Sequence, residues 1–139
     1  MGMYTELVLK CEIKENVPEN VHNILSYLFN QAGGYDNPPP QPDHAFFLCA
    51  RWRMLGQCSS FYHVPFALSK YSNGFSDGRA GGYIFSRSDL KNYDNEIKHF
   101  IDWLTPYIDQ EDGECIGWSW YEEDDKPTLL FKGKVNGNH

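Results

Sequence analysis

Apolar and polar positions alternate from Tyr4 to Lys14, with Leu7, Leu9, Cys11 and Ile13 on one side and Glu6, Val8, Lys10 and Glu12 on the other. That is the pattern of a half-buried strand. The period then changes: Val21, Ile24, Leu25 and Leu28 fall at i, i+3, i+4 and i+7, behind a proline at Pro18 and with Glu19 beside the positive end of the helix dipole. The spacing predicts a helix over Pro18–Asn30. Residues 33–43 carry Gly33-Gly34 and four prolines, Pro38, Pro39, Pro40 and Pro42, which forbid helix and interior strand. They form a loop rather than a domain linker, because the one-striped helix before them must pack on the strands after them.

Ala45 to Leu55 is dense in aromatic and apolar residues, and Ser59 to Tyr71 is a second such run interrupted by Pro65. Both read as strands, the second bent or at a sheet edge. Ser72–Gly82 is a glycine-rich turn and Gly82–Arg87 a further strand. Asn92 or a neighbour caps a second helix whose stripe is Ile97, Phe100, Ile101, Leu104 and Ile108, with Pro106 distorting the last turn. Cys115–Tyr121 alternates again, placing Ile116, Trp118 and Trp120 together, and Thr128–Val135 pairs with it across the turn Glu122–Pro127. Asn136–His139 is a frayed tail. The order β-α-β-β-β-α-β-β predicts one α+β domain over residues 1–139, with two helices on one face of an antiparallel or mixed sheet of about five or six strands.

Composition sharpens this picture. Aromatic residues make up 16% of the 139, against 41% hydrophobic in all, so the core is expected to be built from rings, and some rings are expected at a binding surface. A net charge of −7 excludes general nucleic-acid binding, which needs a basic footprint, and leaves nucleic-acid mimicry open. Neither a secretion signal nor a membrane span is legible, and a cytoplasmic protein is expected. Cys11, Cys49, Cys58 and Cys115 have no metal or CxxC spacing and read as reduced thiols; the histidines show no ligand spacing, so no metal or cofactor is expected.

Charge is unevenly spread. From His44 to Lys91 six basic residues (Arg51, Arg53, Lys70, Arg79, Arg87, Lys91) face only Asp77 and Asp89, whereas from Asp94 to Asp125 eleven carboxylates face Lys98 alone. Such a field draws an anion to one surface and a basic partner to another. On a strand, Arg51 and Arg53 point to the same side and form a fork for phosphate or carboxylate, with Trp52 opposite. Arg79 sits in a glycine-rich loop that lacks the GK[ST] of a phosphate loop. Ser86 and the Cys58-Ser59-Ser60 run have no nucleophile elbow. Trp118 and Trp120, with Trp103, read as core; exposed, they would be an anchor.

The run Leu90–Ile97 with Phe100–Ile108, then Tyr121-Glu122-Glu123 and Pro127-Thr128-Leu129, and the start Met3–Leu7, resemble a group of small proteins of bacteria and their phages for which no activity is known. The resemblance covers about a third of the chain and implies a single domain in a bacterial or phage setting, with no catalytic residue to transfer.

Three functions are expected in order. The first is a non-enzymatic, homo-oligomeric binding protein for a small anionic ligand such as a nucleotide, in a phage setting a sequestered defence signal. Arg51, Arg53, Arg79 and Arg87 would neutralise it and Trp52, Phe61, Tyr62 or Tyr83 would stack on it. The second is an inhibitor or adaptor that docks a protein on an acidic face of Asp94, Asp102, Glu122, Glu123 and Asp124. The third is a hydrolase or transferase with His63 or His99 as base.

Overall fold

The computed structural model describes residues 3–56, 68–74 and 81–135. Six strands form one antiparallel sheet in the order β2-β3-β1-β4-β5-β6: β1 Thr5–Ile13, β2 Leu68–Ser72, β3 Gly82–Leu90, β4 Cys115–Tyr121, β5 Thr128–Phe131 and β6 Lys134–Val135. Helices α1 (Glu19–Asn30) and α2 (Glu96–Leu104) cover one face. The chain is therefore the α+β domain its periodicity predicts, with the sheet antiparallel throughout.

β1 is central, and its alternation holds: Leu7, Leu9, Cys11 and Ile13 are buried against α1 and α2 while Lys10 and Glu12 are exposed. The predicted stripes of both helices are buried as expected, from Val21 to Leu28 and from Ile97 to Leu104. Asn92 caps α2, its Oδ1 accepting from the Ile97 amide at 3.0 Å. Pro106 lies in a 3₁₀ turn, Thr105–Tyr107, that ends the helix and delivers Ile108 to a bridge with Ile13. At the sheet edge the Asn30 side chain donates to the Tyr71 carbonyl at 2.7 Å and accepts from the Tyr71 amide at 2.9 Å, closing the outward backbone of β2 at that residue.

Two expectations fail. Ala45–Leu55 is not a strand but two 3₁₀ turns, Ala45–Leu48 and Trp52–Met54. Alternation would send neighbouring side chains to opposite sides, yet Phe46, Phe47 and Trp52 all pack into one cluster with Phe100 and Trp103. Burying such rings is worth roughly 1.5–3 kcal/mol each. The backbone donors this costs the sheet go to side chains instead: the Ala50 amide to Asp94 Oδ2 at 2.8 Å, and the Arg51 amide to Glu96 Oε2 at 3.2 Å. Glu96, fully buried, also accepts from the Asp94 amide at 3.0 Å, so its carboxylate organises this corner.

The second failure is in β4. A bulge between Cys115 and Gly117 breaks the alternation, so Ile116 and Gly117 both turn inward and Trp118 and Trp120 go to the uncovered face. Gly117 permits it: its φ is 147°, and a Cβ there would lie 2.0 Å from the Val8 carbonyl oxygen. The predicted strand over Thr128–Val135 is likewise split into β5 and β6. The expected strand over Ser59–Tyr71 falls mostly outside the described residues; its end is β2.

Candidate functional site

The arginines expected to make one anion cradle are held in separate places. Arg51 lies over the Tyr93 ring, 5.0 Å from its centroid, and Arg53 over Tyr35 at 5.8 Å. The strand alternation that would aim both to one side is absent, because this segment is a 3₁₀ turn. Trp52, the expected stacking ring, is 6% exposed and packs among Tyr27, Phe46 and Phe47. Arg87 is on the far face of the sheet, paired with Glu6 and 3.8 Å from Asp89, and Tyr83 faces Glu12 on that same side. Phe61, Tyr62, His63 and Arg79 lie outside the described residues.

The uncovered face supplies a different surface. Across four strands Arg87, Val8, Trp118 and Leu129 are successive cross-strand neighbours; Trp120 stands opposite Glu6 and Phe85 opposite Lys10. Phe85 is 49% exposed, Leu129 49% and Trp120 39%. Among the described residues no helix covers them. Contiguous rings with interspersed charge are what docking surfaces present. Periodicity placed these two tryptophans in the core; the residue that could have warned otherwise is Gly117, mid-strand, where glycine marks a bulge.

One rim of this face is acidic. The exposed turn Glu122–Asp125 follows β4, and the Trp120 indole Nε1 donates to the Asp124 carbonyl at 3.0 Å, pinning turn to face. The Glu122 carboxylate accepts from the Tyr4 amide at 2.5 Å. Asp94 is engaged elsewhere, its carboxylate accepting from the Ala50 amide, while its neighbour Tyr93 lines a cavity of about 170 Å³ with Tyr121 and Asp124 on the helix-covered side of the sheet. Asp102, further along α2, instead pairs with His44. Three of the five expected partner-binding acids, Glu122, Glu123 and Asp124, thus share one exposed turn, while Asp94 and Asp102 are engaged elsewhere.

His44 and two of the cysteines have structural surroundings. His44 Nδ1 accepts from the Phe46 amide at 3.0 Å, so the ring proton is on Nε2 and donates to Asp102 at 3.0 Å; both nitrogens are committed to holding a turn. Burial pushes the Cys11 thiol up to about 12 and also raises that of Cys49, so neither supplies thiolate at neutral pH. No metal-holding cluster occurs among the described residues, and no described helix is long and apolar enough to cross a membrane. A cavity of about 430 Å³ lies at the opposite end beside Lys14, Glu19, His22 and Tyr71, where His22 Nδ1 and the Tyr71 hydroxyl are 3.1 Å apart. No described residue of the expected anion set lines it. Comparisons of the chain with protein-family models, with curated proteins and with solved structures give no match.

Proposed function

We propose that this chain is a protein-binding module, an inhibitor or adaptor that docks a partner on the open face of its sheet, with the acidic turn Glu122–Asp125 as a charged rim. What carries the reading is the row Val8–Trp118–Leu129, flanked by half-exposed Phe85 and Trp120, on the face that no described helix covers. Two tryptophans supply rigid anchor area, and carboxylates beside them favour a partner with basic groups around an apolar patch. The separation of Arg51, Arg53 and Arg87 favours this reading over the anion cradle.

The test places a photo-crosslinking amino acid at Leu129, with Lys98 on the exposed side of α2 as control. The expected result is one adduct from position 129, none from 98, and its loss in a folded Glu122→Lys/Glu123→Lys variant and at high salt. Equal adducts from both positions, or indifference to charge reversal, would overturn it. A selective thermal shift with one member of a nucleotide panel would restore the anion reading instead.

A further inference from the structure

We infer that the partner on the open face is a second copy of this chain, packed face to face about a two-fold axis that runs across the strands along Val8, Trp118 and Leu129. This rests on the docking reading above and names the occupant. The first argument is the order of charge along the strands. With Leu7, Leu9, Cys11 and Ile13 buried on the inner side, β1 presents Glu6, Val8, Lys10 and Glu12 outward, so Glu6 and Lys10 stand two residues to either side of Val8. A two-fold rotation about that axis reverses strand direction and lays Glu6 of each copy over Lys10 of the other.

The ends of the face match in the same way. Lys91, whose Nζ lies 5.6 Å from the Tyr4 ring centroid, is carried to the Glu12 end of the other copy, because Tyr4 and Glu12 are equidistant from Val8. The acidic turn beyond Trp120 is carried to the end that bears Lys10 and Lys70, which flank Phe85 across β1, β3 and β2. An apolar patch with basic groups around it is the partner that the acidic rim favours, and this chain carries one on the same face. Arg87 stands in the row of Val8 and meets its own copy near the axis, but each copy brings it paired with Glu6 and beside Asp89.

The middle row and the area are the second argument. Val8, Trp118 and Leu129 lie along the axis, so each apolar side chain meets its own kind and no polar group is left facing it. Sheets stack with strands within about 30° of one another, which the reversed arrangement allows. Five strands, β2 to β5 in sheet order, at about 4.8 Å spacing, and the nine residues of β1 at about 3.4 Å each, make a face of roughly 20 by 30 Å. Two such faces bury on the order of 1,200 Å² together, the lower end of what a specific pair needs.

The experiment is sedimentation equilibrium of the full-length protein and of single charge reversals. The parent should dimerise reversibly. Lys10→Glu sets like charges over Glu6 of the other copy and should weaken the dimer about tenfold or more, whereas Lys98→Glu, on the exposed side of α2, should change it less than about twofold. Glu12→Lys and Lys91→Glu should each weaken it, and the double variant should regain most of the affinity, which a folding defect would not do. A parent that stays monomeric, a dimer that tolerates Lys10→Glu as well as Lys98→Glu, or a double variant no better than its singles would overturn the inference. The adduct at position 129 keeps the two readings apart. Twice the chain mass is the second copy, a different protein on a monomeric chain removes only this inference, and no adduct removes the docking reading itself.

Discussion

The two faces of the sheet are made from the same strands, and each carries large apolar side chains, yet they are physically different objects. On the inner face Leu7, Leu9, Ile84 and Leu130 are almost fully buried beneath α1, α2 and the ring cluster around Phe46 and Phe100. On the outer face Val8, Phe85, Trp118 and Leu129 alternate with Glu6, Lys10 and Arg87 and remain partly wet. The difference teaches that hydrophobicity does not by itself mark a core. What marks it is a second layer, and here only one face has one among the described residues.

Substitution separates the two faces most sharply at paired phenylalanines. Phe100→Ala empties the centre of the inner cluster and should cost about 3–5 kcal/mol in urea unfolding. Phe85→Ala, on a ring that is 49% exposed, should cost about 1 kcal/mol or less. Similar losses at both sites would mean that the outer face is a second core. Next in size is Gly117→Ala, which attacks the bulge that assigns Trp118 and Trp120 to the outside. A methyl group meeting the Val8 carbonyl at 2.0 Å, on a backbone that favours glycine, should cost about 2–4 kcal/mol and shift tryptophan emission. Unchanged stability and emission would show that the bulge does not place the rings.

Much of this architecture was legible in the chain. β1, α1 and α2 each bury an uninterrupted stripe, and period alone locates them because burial of that stripe is what stabilises them. The failures share a cause. At residues 45–55 rings on consecutive positions imitate a strand, while the decisive partners are the Asp94 and Glu96 carboxylates more than forty residues away. In β4 one extra residue reverses every later side chain, and a pattern of period two cannot see it. The candidate surface was half legible: the acidic turn stands out in composition, but its association with Trp120 is a product of folding. The arginine fork was read from a strand that does not form.

The smallest expected effect concerns the one strongly buried charge on the outer face. Asp89 is 4% exposed beside Arg87 and Glu6, and neither its Oδ2 nor Arg87 Nη1 has a hydrogen-bond partner among the described residues. Burial raises its pKa above the ordinary 3.8, Arg87 opposes the rise, and the charges of Glu6 and Glu122 add to it. As pH climbs above 3.8 the unfolded chain releases this proton while the native chain still holds it. Native stability therefore falls through that window, and the loss is complete once the native carboxyl has ionised. An Asp89→Asn variant has no such proton to release. Its stability relative to the parent, measured by urea unfolding at stepped pH, should rise from pH 3.8 upward and then level off. Parallel profiles would mean that the native carboxyl ionises as it does in the unfolded chain, and the outer face would then be wet at its charges as well as at its rings.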